Sequence, residues 1–184
     1  GRNLHGSRVT IVGGGGIASS LIRMLAPFET RNTVVRRSPV AMPGVHRVAG
    51  TSELHPVLTD SDVVVLALPL TDDTVCVIGR TELELMGPDA WLVNVARGQH
   101  VDTEALTEVL RLGRIGGAAL DVTDPEPLPP GHPLWTLDSA IVTPHTANTP
   151  GMMERSFAAL LRSNVAAHID GLPVQGIVDS ELAY

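Results

Sequence analysis

Four consecutive glycines, Gly13-Gly14-Gly15-Gly16, stand directly behind a short β-branched run, Arg8-Val9-Thr10-Ile11-Val12. They stand directly ahead of a segment in which Ile17, Leu21, Ile22 and Leu25 recur at helical spacing. A strand that turns on glycine into a helix opens a crossover unit, and that narrows the choice of fold sharply. Gly13, Gly15 and Ala18 fall on the key places of G-x-G-x-x-G/A. Gly13 permits the tight turn, Gly15 lets the backbone approach a pyrophosphate, and Ala18 is small enough for close helix–strand packing. The free N–H groups of the helix start, around Gly16 and Ile17, then face the phosphates.

The rest of the chain repeats the alternation. Residues 8–12, 32–36, 45–48, 62–68, 91–96, 117–122 and 140–143 read as strands. Helices are expected over 16–25, 81–86 and 103–112, the last capped by Asp102. A long final helix begins near Asn148-Thr149-Pro150, with Thr149 as cap, and is expected to bury Met153, Phe157, Leu160, Leu161 and Val165. Strands alternating with helices imply right-handed crossovers. The expected fold is α/β: a doubly wound parallel sheet of the Rossmann type with helices on both faces. Residues 1–150 form a dinucleotide-binding domain, and 151–184 a C-terminal helix and tail. Aromatics are 3% of the chain, so the core must be made of Val, Leu, Ile and Ala, which suits strands buried on both faces.

A net charge of −7 offers no basic patch for nucleic acid. No apolar run is long enough to span a bilayer. The single cysteine, Cys76, forbids an internal disulfide, agrees with a cytoplasmic location, and is expected to be a small buried residue. No Cys/His cluster has metal-ligand spacing, and His5, His46, His55, His100, His132 and His168 are assigned no chemistry.

The second strand ends in Arg36-Arg37-Ser38, where an NAD-specific site would carry Asp or Glu. Two guanidiniums and a hydroxyl suit a 2′-phosphate, so NADP(H) is expected over NAD(H). Three later strands also end in polar residues: Arg97 after 91–96, Asp121 with Glu126 after 117–120, and His145 after 141–144. A parallel sheet brings such ends to the edge that carries the glycine turn. There an imidazole, with an unperturbed pKa of about 6.5, can give a proton to a carbonyl oxygen while a hydride arrives at the carbon. A carboxylate beside it keeps the imidazolium available. A guanidinium can hold a substrate carboxylate through paired hydrogen bonds. The substrate expected is a 2-oxo acid or its 2-hydroxy acid, and the Glu126 carboxylate is expected within reach of the His145 ring.

These segments resemble the D-isomer-specific 2-hydroxyacid dehydrogenases. The likeness runs from Leu4-His5-Gly6 and the glycine turn, through Leu68-Pro69-Leu70-Thr71 with Thr74, Asn94-Val95-Ala96-Arg97-Gly98, Ala119-Leu120-Asp121-Val122, Glu126-Pro127-Leu128-Pro129 and Thr143-Pro144-His145, to Val178-Asp179-Ser180-Glu181-Leu182-Ala183-Tyr184. The resemblance implies that Arg97 binds substrate and that Glu126 and His145 are the catalytic pair. It places Pro69, Thr74, Val95, Ala96, Asp121 and His145 beside the cofactor. Arg36 departs from the Asp of many members. Members also carry a substrate-domain half ahead of the glycine turn. The chain is therefore expected to be the cofactor-binding part of a longer, homodimeric protein, able to bind dinucleotide but poor in turnover alone. Its tail would return to that other half. Two alternatives stay open: a formate dehydrogenase, and a non-enzymatic, corepressor-like sensor of the dinucleotide.

Overall fold

The computed structural model describes residues 3–178. Its strands are β1 (Arg8–Val12), β2 (Arg31–Val35), β3 (Arg47–Ala49), β4 (Val63–Leu66), β5 (Trp91–Asn94), β6 (Gly117–Leu120) and β7 (Ala140–Val142). They form one sheet in the order β3-β2-β1-β4-β5-β6-β7. Every neighbouring pair is parallel. The helices are α1 (Gly16–Leu25), α2 (Leu54–Thr59), α3 (Arg80–Leu85), α4 (Thr103–Arg111) and α5 (Pro150–Ile169).

Alternation along the strands sends successive side chains to opposite faces. Val9 and Ile11 of β1, Val34 of β2 and Val65 of β4 pack with Ala18, Ile22 and Leu25 of α1. Val64 and Leu66 of β4 and Leu92 of β5 pack on the other face with Leu58 of α2, Leu83 of α3 and Leu106 and Val109 of α4. This is the doubly wound arrangement expected. Strand order reverses between β1 and β4, which opens a crevice at their C-terminal ends. At the opposite end the Arg8 backbone N–H and Nε donate to one Asp62 oxygen (2.9 and 3.1 Å), and Nη2 donates to the other (2.8 Å). That clamp pins the start of β1 beside the start of β4.

Asp102 caps α4 as expected, accepting from the Ala105 N–H at 2.9 Å. Thr149 occupies the N-cap of α5 without a side-chain cap bond. The short helix α2 escapes the periodicity because one and a half turns containing Pro56 leave too little pattern to see. Cys76 is exposed, contrary to expectation. It sits in the loop between β4 and α3 with φ 50°, held by its own N–H to the Gln99 carbonyl, so its backbone rather than a packed side chain fixes it.

The chain divides into two compact units after Pro144. The second contains α5, none of whose residues is buried. Met153, Phe157, Leu160, Leu161 and Val165 are exposed, which corrects their expected burial. Helical spacing identifies an apolar stripe but not what covers it. Asn164 ties the tail to α5, its amide donating to the Gln175 carbonyl and accepting the Gln175 N–H, both at 2.9 Å. Leu172, Ile177 and Val178 of the tail are exposed. The segment Asp179–Tyr184, part of the likeness noted above, lies outside the described residues.

One contact between helices makes stability depend on pH. His55 of α2 meets a Glu82 oxygen at 2.7 Å, and the other Glu82 oxygen accepts the Gly79 N–H at 3.0 Å, capping α3. Burial pushes the Glu82 carboxyl up, but the bonds from His55 and the backbone outweigh it and hold its pKa below the ordinary value. A depressed carboxylate stabilises the fold above its unfolded pKa, about 4.3, and that contribution is lost as pH falls through the folded value. Urea unfolding of the wild type and of Glu82→Gln should therefore show the gap in midpoint closing on acidification. An equal gap at pH 7 and pH 3 would show that this contact contributes nothing through charge.

Candidate functional site

The crevice between β1 and β4 is built on close approach. The Gly13 N–H donates to the Val35 carbonyl at 2.8 Å, and its φ of 111° belongs to glycine. A Cβ on Gly13 would lie 2.1 Å from the Ala67 carbonyl oxygen, so only glycine lets the turn pass the end of β4. Gly15 and Gly16 face open space, with nothing within 4 Å of a Cβ placed there. Gly15 caps α1 without a side-chain bond, and the first bond inside the helix runs from the Ser19 N–H to the Gly15 carbonyl. The preceding N–H groups, of Gly16, Ile17 and Ala18, are the donors a helix start leaves unsatisfied. A cradle open above a helix N-terminus fits a pyrophosphate.

At the end of β2, the Arg36 N–H bonds the Ala49 carbonyl at 3.0 Å, which fixes where its side chain starts. Arg36 is half-buried; Arg37 and Ser38 are exposed. Among the described residues no acceptor bonds the Arg36 guanidinium. The open cradle beside this cation fits a dinucleotide.

The end of β5 is held by Asn94, which is 1% exposed. Its Oδ1 accepts the Ala96 N–H at 3.0 Å, and its Nδ2 donates to the Arg97 carbonyl at 2.8 Å. This staple shapes the turn on which Val95, Ala96 and Arg97 stand. The exposed Arg97 donates from Nη1 to the Ala96 carbonyl at 2.7 Å. Gly98 then meets the loop after β6 so closely that a Cβ would lie 1.9 Å from the Thr123 carbonyl oxygen. The backbone of the Arg97 turn thus abuts the loop that leads through Asp124 to Glu126. Glu126 is exposed. Asp121 is buried: its N–H donates to the Asn94 carbonyl at 3.0 Å, and its carboxylate accepts the Thr143 hydroxyl at 2.6 Å. Asn94, Asp121 and Thr143 therefore link the ends of β5, β6 and β7.

After β4, the Thr74 hydroxyl donates to the Pro69 carbonyl at 2.9 Å and accepts the Thr71 N–H at 2.8 Å. The loop carrying Pro69 is thereby closed on itself. His100, fully buried, places Nδ1 2.9 Å from the Thr74 carbonyl oxygen and Nε2 3.2 Å from that of Leu68. It ties the loop after β4 to the turn that follows Arg97.

His145 is the first residue of the second unit, directly after Pro144. It is exposed and has φ 52°, a backbone state that residues other than glycine adopt sparingly. The structure thus gathers the glycine turn, Arg36, Pro69, Thr74, the Arg97 turn, Asp121 and the Glu126 loop within one unit, with His145 next in the chain. Sequence reasoning missed Asn94 and His100. The signal for Asn94 was available: an amide inside an apolar strand must bond locally if it is buried. No cluster of three or more His, Cys, Asp or Glu among the described residues could hold a metal ion.

Residues 1–147 match the family described as D-isomer specific 2-hydroxyacid dehydrogenase, NAD binding domain. A glyoxylate reductase of Thermofilum pendens is 35% identical over 187 residues, covering 99% of this chain and 54% of that protein. A D-isomer specific 2-hydroxyacid dehydrogenase from Xanthobacter autotrophicus Py2, solved with NADPH and MES, superposes with a TM-score of 0.90 at 36% identity, covering 100% of this chain and 75% of that one. An NADPH-dependent glyoxylate/hydroxypyruvate reductase from Sinorhizobium meliloti, solved with NADP and sulfate, gives a TM-score of 0.88 at 28% identity, covering 97% and 57%. The chain spans about half the length of the curated relatives it matches.

Proposed function

The chain belongs to the D-isomer specific 2-hydroxyacid dehydrogenases, whose NAD-binding domain it carries, and from that premise we propose that it holds NADP(H) in preference to NAD(H) for the reduction of a small 2-oxo acid of the glyoxylate type. The observation that carries this reading is Arg36, half-buried at the end of β2 with no acceptor bonding its guanidinium among the described residues, where a carboxylate would be needed to accept from a 2′-hydroxyl. The relatives solved with NADPH and NADP support it.

In this reading the N–H groups of Gly15, Gly16 and Ile17 receive the pyrophosphate, and Arg36, Arg37 and Ser38 the 2′-phosphate. Pro69, Thr74, Val95, Ala96 and Asp121 line the path to the nicotinamide, which supplies the hydride when bound. Arg97 holds the substrate carboxylate and polarises its ketone. His145 gives a proton to the ketone oxygen as it becomes a hydroxyl, and Glu126 is the carboxylate that the family likeness assigns to the same reaction. The longer protein works as a homodimer, for which α5 has apolar surface to offer in Met152, Phe157 and Leu161.

Calorimetry with NADPH and NADH tests the cofactor assignment. A charge-assisted hydrogen bond is worth about 1.5–3 kcal/mol, and solvent screening keeps an accessible arginine toward the low end. A preference for NADPH of about tenfold or more is expected in the wild type. Arg36→Asp should abolish it and leave NADH binding no weaker. Equal affinities in the wild type, or equal weakening of both cofactors by the substitution, would overturn the assignment.

A further inference from the structure

Within the glycine turn, each missing Cβ leaves room for something different. At Gly13 the room is taken by the backbone of Ala67; at Gly15 and Gly16 it is open. At Gly14 it is filled by Arg36. A Cβ on Gly14 would lie 2.9 Å from Arg36 Cδ, 3.0 Å from Nε and 3.2 Å from Cζ. Three successive atoms of one side chain therefore run across the Cα of Gly14.

The conformation of Gly14 does not call for glycine, because its φ lies outside the left-handed region that other residues avoid. What the position needs is space. Among the described residues no hydrogen bond or ion pair holds the Arg36 guanidinium. Its backbone is anchored to Ala49, and beyond that its side chain rests on Gly14.

We propose that Gly14 is a specificity-determining position: by lacking a side chain it seats Arg36 over the glycine turn, and that seat is what recognises the 2′-phosphate. Choice of cofactor is then shared between two elements distant in sequence, the turn after β1 and the end of β2. The inference rests on the NADP(H) reading above. The physical reason is pre-organisation. A guanidinium already laid in place loses less freedom when a phosphate arrives than one swinging in solvent. An alanine at this position would push Arg36 off its seat, and because a long side chain can swing away, the fold itself would survive.

The test is calorimetry with NADPH and NADH on the wild type, Gly14→Ala, Arg36→Ala, the double variant and Arg36→Lys, each checked for an unchanged melting temperature. Gly14→Ala should lower the NADPH/NADH affinity ratio by about tenfold, one charge-assisted contact, with NADH affinity changed by less than about twofold. In the Arg36→Ala background the same glycine substitution should leave the ratio unchanged, because the two act as one unit. Arg36→Lys keeps the charge but lacks the planar group that crosses Gly14, and should also lose most of the preference. A wild type indifferent to the phosphate would overturn the NADP(H) reading and this inference with it. A wild type that prefers NADPH, with Gly14→Ala or Arg36→Lys keeping the full preference, would overturn the inference alone. So would equal weakening of both cofactors by Gly14→Ala, which would mean that Gly14 serves the pyrophosphate instead.

Discussion

Replacing His145 by glutamine, in the protein that joins this domain to the remaining length its relatives possess, should lower kcat for glyoxylate reduction by about 10²–10⁴-fold. The affinity for NADPH should change far less, because the loss falls on a proton transfer made in the transition state. Glutamine keeps a polar side chain of similar reach but cannot carry a proton at neutral pH. Steady-state kinetics with glyoxylate and calorimetry with NADPH separate the two effects. An undiminished kcat would remove His145 from the chemistry, and a parallel collapse of NADPH affinity would make it a cofactor-binding residue instead.

Gly98→Ala should be strongly destabilising, costing about 3 kcal/mol of stability. The added methyl would lie 1.9 Å from the Thr123 carbonyl oxygen, 2.1 Å from its carbon and 2.6 Å from the Asp124 nitrogen. These are backbone atoms, so no rotamer change relieves the overlap, and the Arg97 turn must part from the loop that leads to Glu126. For a chain of this size about 2–4 °C is lost per kcal/mol, so the midpoint of thermal unfolding should fall by roughly 6–12 °C. Gly87→Ala is the control, since nothing lies within 4 Å of a Cβ there, and it should melt within about a degree or two of the wild type. A Gly98→Ala variant that melts with the wild type would show that the two segments do not depend on this approach.

Much of the fold was legible because its signals are local. A strand–glycine–helix unit, apolar runs at strand length and an Asp cap on α4 each lie within about a dozen residues, and each survives in the structure with ends shifted by one or a few positions. The polar ends of β5, β6 and β7 were legible for the same reason: a parallel sheet sends every strand end to one edge, so the edge could be inferred before any contact was known. Misreadings came where the deciding partner is remote or the element too short. Cys76 has the composition of a buried residue, yet its loop turns it outward. The stripe on α5 has the spacing of a buried face, yet spacing is blind to whether anything lies against it.

The sequence by itself determined the class of sheet and the place of the glycine turn, because periodicity and turn chemistry are properties of neighbouring residues. Only the tertiary structure decided that Asn94 braces the Arg97 turn, that His100 joins two loops, that Gly98 abuts Thr123 and that Gly14 lies under Arg36. Each of these is a contact across elements. Its existence depends on strand order and on approaches of a few ångströms, and close packing makes such approaches all-or-none: a missing Cβ matters only where another atom occupies its place.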